Sequence, residues 1–211
     1  VTGYPVRGAF HDVGRAEARA ELGLSPDEPA VLVMGGSIGA QGINRPLGGM
    51  LEQVLPLTQV VHITGQTDWP WAQTRREALP AALQARYHIY EYMHHIEKAF
   101  AAVDLIICRA GASILGELPF FGLPAVLVPY PHAWDYQRIN ADWLTERGAA
   151  ACVAQEALDE ALLPLLRGLF ADPGQLKQMA QRMRALARPQ AARHLVDEWL
   201  ALARQGAERG Y

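Results

Sequence analysis

The sequence predicts an α/β fold: a Rossmann-like parallel sheet of about six strands with helices on both faces. Three observations predict it. Short apolar runs such as AVLVM and DLIIC carry no polar alternation, which marks strands buried on both faces. These runs alternate with segments of helical periodicity. Turns bearing glycine follow the strands, and right-handed crossovers gather such turns at one edge of a parallel sheet.

The elements follow in order. VTGYPVRGAF is an extended start in which Pro5 keeps Tyr4 out of helical space. HDVGRAEARAELGL reads as an amphipathic helix, with Ala16, Ala20 and Leu24 recurring at intervals of four. After the turn SPDEP comes the first strand, AVLVMGG (30–36), and then a glycine-rich turn into a helix that Gly48 and Gly49 weaken. QVVHITG (59–65) is the second strand, and the helix after it takes Asp68 as N-cap and Pro70 in its first turn. YHIYEY (87–92) is the third strand, HIEKAFAAV a short helix and DLIICRA (104–110) the fourth strand. ASILGELPFFG forms a helix closed by Gly122, PAVLVPY (124–130) the fifth strand, AWDYQRINADWLTERG a helix closed by Gly148, and AACVA the sixth strand. Only helices follow, with Pro173 and Pro189 marking starts and Leu176, Met179, Met183 and Leu186 forming a stripe expected to pack on the sheet.

Composition narrows the function. Of 211 residues, 50% are hydrophobic and 19% charged, enough for a core and against disorder. A net charge of −3 gives no reason to expect nucleic acid. The two cysteines, Cys108 and Cys152, sit in apolar runs and read as buried thiols of a reducing cytoplasm rather than a disulfide framework. No apolar run reaches the ~18–20 residues that span a bilayer. The chain begins with Val1 and opens abruptly, which reads as the cut end of a longer protein, with a processed terminus the alternative.

Chemistry-bearing residues concentrate in 104–140. Gly35, Gly36, Ser37 and Gly39 make a first turn whose helix start could receive an anion, although a plain strand-to-helix turn explains it equally well. GGSIGA lacks the G-x-G-x-x-G spacing, which argues against a nicotinamide-dependent oxidoreductase, and no Walker A lysine follows it. The second turn, RAGAS (109–113), opens a helix on which Ser113 and Glu117 share a face. A diphosphate at that N-terminus, with a ribose diol on Glu117, is what a nucleoside diphosphate needs. The alternative, a solvated carboxylate, sits poorly among Leu115, Leu118, Phe120 and Phe121. Gln137 and Asn140, three apart, offer amides suited to sugar hydroxyls. Asp135 either joins them or caps the helix, and His132 is equally a loop residue or a ligand contact. The adjacent His94 and His95 point apart and lack a third ligand, so no metal site is read there. The arginines from Arg182 to Arg209 read as a solvated basic face, with attraction to anionic lipid the alternative.

TGYPVR, VMGGSIGAQGIN, HITG and above all RAGASILGELPFFGLPAVLVPYPHAWDYQRINADWL resemble the MurG family of peptidoglycan N-acetylglucosaminyltransferases, in glycosyltransferase family 28. The likeness covers essentially the whole chain. It implies a GT-B fold of which 1–211 is the C-terminal, donor-binding half, with 156–211 as C-terminal helices. The N-terminal domain, which in the family carries the acceptor site, the membrane-contacting surface and the general base, would lie outside this chain. The full-length protein would then be cytoplasmic and peripheral on the cytoplasmic face of the membrane. It would move GlcNAc from UDP-GlcNAc to lipid I with inversion, making lipid II, while this chain alone would be inactive.

By motif position the resemblance implies that Arg7, Gly36 and Ser37 contact the donor and that Met93 offers backbone groups to uracil. Ala112, Ser113, Ile114, Leu115 and Glu117 would hold diphosphate and ribose, and Gln137 and Asn140 the GlcNAc. No cofactor or metal ligand is implied, and the sequence has no D-x-D segment. Tyr4, Ile114 and Gly116 depart from the family's usual asparagine, threonine and small polar residue. A non-catalytic nucleotide-sugar-binding subunit that needs a partner chain is the competing reading.

Overall fold

The computed structural model describes residues 2–36, 40–132 and 135–208. Its centre is a six-stranded sheet of β1 (Ala30–Met34), β2 (Gln59–Ile63), β3 (Tyr87–Tyr90), β4 (Leu105–Cys108), β5 (Ala125–Leu127) and β6 (Ala150–Cys152). Every pair is parallel, in the order β3-β2-β1-β4-β5-β6. The expected parallel sheet is therefore present. Each strand is shorter than the apolar run that announced it, because residues such as Gly36 and Ala110 leave the ladder to form the turns.

Helices connect the strands: α1 (Arg15–Glu21), α2 (Gln41–Gly49), α3 (Leu51–Val54), α4 (Trp69–Glu77), α5 (Ala81–Gln84), α6 (Ile96–Ala102), α7 (Ile114–Phe121) and α8 (Tyr136–Glu146). α9 (Leu158–Ala171), α10 (Pro173–Ala185) and α11 (Ala191–Glu208) follow β6. Alternate residues of each strand enter opposite cores, as the pleat requires. Ala30 and Leu32 join α1, α6, α7 and α8 on one face, whereas Val31 and Val33 join α2, α3 and α9 on the other. The methionine stripe of α10 serves both layers: Met183 enters the first core and Met179 the second.

Helix ends follow local chemistry. α7 and α8 stop at Gly122 and Gly148, both with φ +63°. The next residue's N–H reaches back to the carbonyl five residues earlier, Leu123 to Leu118 at 2.9 Å and Ala149 to Leu144 at 3.0 Å. This Schellman closure needs the left-handed conformation that glycine adopts cheaply. Arg184 donates to Phe121 O at 2.8 Å, and Arg182 lies within 2.3 Å of where a Cβ on Gly148 would stand. These two arginines are exposed, as the basic-face reading expects, and their side chains lie over the C-termini of α7 and α8.

Other expectations change as well. Ala16 and Ala20 are exposed; the buried face of α1 is Ala18, Arg19 and Leu22. Two alanines carry too little apolar surface to set the phase of a helix against Leu22. Arg19, 4% exposed, is tolerated because it donates to Ala102 O at 2.7 Å and to the carbonyls of Ser25 and Glu28. Cys108 is buried, but Cys152 is exposed because β6 is an edge strand. Gly48 and Gly49 both lie within α2, and the Trp71 ring packs where a side chain on Gly48 would stand. α11 leaves Leu195, Val196, Trp199, Leu200 and Leu202 exposed.

Asp68 holds the N-cap position of α4 but makes no capping bond. It is 1% exposed and accepts from Asn44 Nδ2 (2.8 Å) and Arg45 (2.7 Å) of α2. Asn44 Nδ2 also donates to Thr64 O at 2.8 Å, so its Oδ1 must accept from His62 Nε2 at 2.9 Å. His62 Nδ1 then accepts from the Tyr87 hydroxyl at 2.7 Å. This chain of bonds fixes the neutral Nε2–H tautomer and joins α2 to β2 and β3. Burial pushes the His62 pKa from its ordinary 6.5 down to about 3. The unfolded chain therefore binds a proton that the fold refuses. Stability from His62 is present above pH 6.5 and is lost as pH falls toward about 3. Urea unfolding across that window should show this loss at up to about 1.4 kcal/mol per pH unit from the one group. The His62→Leu variant should lose that component of the slope, and ¹⁵N spectra should show an uncharged His62 ring at pH 5.

Candidate functional site

The C-terminal ends of β1 and β4 lie side by side, with Met34 opposite Cys108. Strands β2 and β3 run off to one side and β5 and β6 to the other. A strand order that reverses in this way opens a crevice beyond the strand ends, where open α/β sheets bind ligands. Gly36 turns out of β1 at φ +106°, and among the described residues no atom lies within 4 Å of where a Cβ would stand. Ser37 and Gly39 lie outside the described residues.

Across the crevice, β4 runs into the turn 109–113 and α7. Glu117 lies in the first turn of α7, where Ser113 at the N-cap and Arg7 of the N-terminal segment both favour its charged form. The structure thus brings Arg7, from the N-terminal segment, to the face of α7 that carries Ser113 and Glu117. Burial raises the Glu117 pKa against the opposing effects of Ser113 and Arg7. Glu117 is half-buried and short of donors, the state of a carboxylate set to receive hydroxyls. Its charge in turn adds to burial in pushing the Cys108 thiol up to about 12.

The start of α7 is narrower than a four-residue cradle. Ile114 is buried in the core, so its side chain is turned away from the crevice. The N–H groups of Ile114 and Leu115 already bond the carbonyls of Gly111 and Ala112, at 3.4 and 3.2 Å. Ala112 is exposed and Ser113 part-buried, and among the described residues neither N–H makes such a turn bond. Of the predicted phosphate contacts, these two backbone groups are the ones the turn leaves open.

The first turn of α8 faces this turn. Asn140 Nδ2 donates to Ala110 O at 2.9 Å, and Gln137 Oε1 accepts from Tyr130 N at 2.9 Å. Each amide thus holds the frame with one end, and among the described residues the other end, Asn140 Oδ1 and Gln137 Nε2, is left for a further partner. Asp135 stands at the N-cap without a side-chain capping bond. Met93, after β3, packs against the same core as Met34 and Leu115. A cavity of about 650 Å³ opens beside Leu115 and Gly116, walled also by Tyr4, Asn140, Trp143 and Arg188. A Cβ on Gly116 would stand 2.7 Å from the Tyr4 carbonyl. Two residues that looked like unrelated departures are therefore one contact: the chain at Tyr4 lies directly on Gly116.

Sequence reading gave Arg109 no role beyond its turn and passed over Gln155. Arg109 donates to Val128 O at 3.1 Å, to Pro129 O at 3.4 Å and to Gln155 Oε1 at 2.5 Å. It also stands 5.2 Å over the Tyr130 ring. Its partners lie 19 to 46 residues away, so no local pattern could have announced them. His95 pairs with Glu97 at 2.9 Å, and among the described residues no group of three His, Cys, Asp or Glu could hold a metal ion.

The profile of the glycosyltransferase family 28 C-terminal domain matches residues 30–195. The UDP-N-acetylglucosamine--N-acetylmuramyl-(pentapeptide) pyrophosphoryl-undecaprenol N-acetylglucosamine transferase of Roseiflexus sp. (strain RS-1) is 42% identical over 230 residues, across 98% of this chain and 52% of that protein. The protein of the same name from Nitratidesulfovibrio vulgaris (strain DP4) is 38% identical over 203 residues, across 93% of this chain and 53% of its own length. The crystal structure of Acinetobacter baumannii MurG superposes with a TM-score of 0.70 at 30% identity, covering 91% of this chain and 54% of that one. The chain thus spans about half the length of the curated relatives it matches.

A raised carboxylate pKa has a definite sign for stability. The fold favours protonated Glu117, so its contribution is full below the ordinary carboxylate range and is lost as pH rises through the raised value. Glu117→Gln mimics the protonated form. It should raise the melting temperature at pH 7 by on the order of 2 °C, a shift that should vanish near pH 4. Scanning calorimetry at the two pH values checks this.

Proposed function

The chain belongs to the glycosyltransferase family 28 C-terminal domain family, and from that membership we propose that it is the donor-binding half of an inverting N-acetylglucosaminyltransferase. The donor is UDP-GlcNAc and the acceptor lipid I, giving lipid II for peptidoglycan. The observation that carries this reading is the grouping of Ser113, Glu117 and Arg7 at the switch-point crevice. The relatives' names supply the transfer.

In this reading residues 1–211 form one donor domain, with 156–211 as its C-terminal helices. The diphosphate sits on the N–H groups of Ala112 and Ser113, near Gly36 and Ser37. Arg7 adds a positive charge. Ile114 and Leu115 shape the turn by packing, not by contact with the phosphates. The ribose diol donates to Glu117, supplying the donors that the half-buried carboxylate lacks. Uracil lies against the backbone at Met93. Gln137 Nε2 and Asn140 Oδ1, the amide ends not used by the frame, take the GlcNAc hydroxyls.

The reaction follows from that placement. The acceptor hydroxyl attacks the anomeric carbon from the face opposite the diphosphate, the bond to UDP breaks, and the configuration inverts. Negative charge grows on the departing diphosphate, where the N-terminus of α7 and its open N–H groups stabilise it. The general base, the lipid contacts and the attachment to the cytoplasmic face of the membrane belong to the other half of the full-length protein. This chain alone binds the donor without transferring it, and with a net charge of −3 it takes no nucleic acid.

UDP or UDP-GlcNAc at saturation should raise the melting temperature of the 211-residue chain. Glu117→Ala should weaken binding by roughly 1.5–3 kcal/mol, the worth of hydrogen bonds to a charged group. Thermal unfolding measures the first and titration calorimetry with UDP-GlcNAc the second, and the absence of any UDP-dependent stabilisation would sink the donor reading.

A further inference from the structure

We propose that Arg109 and Gln155 are a positioning pair that holds the N-terminus of α2 at a set distance from the sugar-binding end of the crevice. The proposal rests on the donor reading above and extends it to two residues outside the predicted contacts.

The geometry forms one continuous path. Gln155, in the turn after β6, lays its carboxamide over Gly42, the second residue of α2. A Cβ on Gly42 would stand 2.2 Å from Gln155 Oε1 and 2.4 Å from its Cδ, so only glycine leaves room for the amide there. The same Oε1 accepts from Arg109 at 2.5 Å. Arg109 ties itself to the carbonyls of Val128 and Pro129 beyond β5 and stands over Tyr130. The backbone N–H of Tyr130 donates to Gln137 Oε1, which leaves Gln137 Nε2 for ligand.

The path Gly42–Gln155–Arg109–Tyr130–Gln137 therefore runs along the C-terminal edge of one half of the sheet, from α2 after β1 to α8. A diphospho-sugar has to meet both ends at once. A ligand that stops at the first phosphate meets neither Gln137 nor the full span. Arg109 is also the first residue of the turn that leads into α7, so its anchorage fixes where that turn begins. Since glycine is a poor helix residue, Gly42→Ala should otherwise be benign in α2. The added methyl meets only the far end of the flexible Gln155 side chain and pushes it off Arg109.

The test compares Kd values for UDP-GlcNAc and for UMP, by calorimetry on the 211-residue chain. Gln155→Ala and Gly42→Ala should each weaken UDP-GlcNAc about tenfold, the loss of one charged hydrogen bond. UMP should stay within about twofold, and the double variant should bind no worse than either single one, because both break the same contact. Gln155→Glu keeps an acceptor for Arg109 and should stay close to the parent chain. A purely structural role would lower melting temperature without changing the ratio of the two Kd values. An unchanged ratio, additive single variants, or a Gly42→Ala chain that binds like the parent would each overturn the pair. Failure of the parent chain to bind UDP-GlcNAc or UMP overturns the donor reading and this one together. Normal parent binding with unaffected variants overturns the pair alone.

Discussion

The pairing of β1 with β4 is the constraint on which the rest of the structure depends. These strands are 75 residues apart at their starts, Ala30 and Leu105, yet they lie side by side at the middle of the sheet. Asp104 fixes the register at their N-terminal ends. Its N–H donates to Ala30 O at 2.8 Å, and its carboxylate accepts from Ala30 N at 2.9 Å and from Arg15 at 2.6 Å. With that end pinned, the parallel ladder brings Met34 beside Cys108 at the other. The turns that follow them, one holding Gly36 and one holding Ser113, become neighbours without touching in sequence.

Burial on both faces then determines how helices may end. A parallel sheet exposes no face, so each connection must come back over the core and stop cleanly at an edge. Gly122 and Gly148 provide the stops, and α10 closes the bottom of both layers while its arginines sit on those two helix ends. Polar groups taken inside are mostly matched, His88 Nε2 being the exception among the described residues. Arg19 is held by carbonyls, and Asp68, Asn44, His62 and Tyr87 form one chain of bonds. Such a chain rigidifies the part of α2 that borders the crevice.

The crevice departs from that economy. Glu117 is held half-buried with too few donors, and Gln137 and Asn140 each leave half of an amide unused by the frame. Groups like these lower the stability of an empty fold and favour a bound ligand. The same reasoning separates Glu117 from Asp68. Both are carboxylates read from helix starts, but Asp68 is satisfied by Asn44, Arg45 and Gln41 and therefore supports structure.

The amino-acid sequence by itself determined the elements whose cause is local. Apolar runs such as LIIC place strands because no other nearby arrangement buries both faces, and glycines after α7 and α8 place helix ends because their φ is positive. It also brought Ser113 and Glu117 onto one face, since helical spacing alone does that. What only the tertiary structure decided were the contacts between distant segments. The buried face of α1, the exposure of Cys152 on an edge strand, the seating of Tyr4 on Gly116 and the bond from Arg109 to Gln155 all depend on which element lies alongside which. The physical reason is that side-chain periodicity reports burial one turn or one pleat at a time. The identity of the neighbour is set by how the sheet closes its ladder, and no residue carries that on its own.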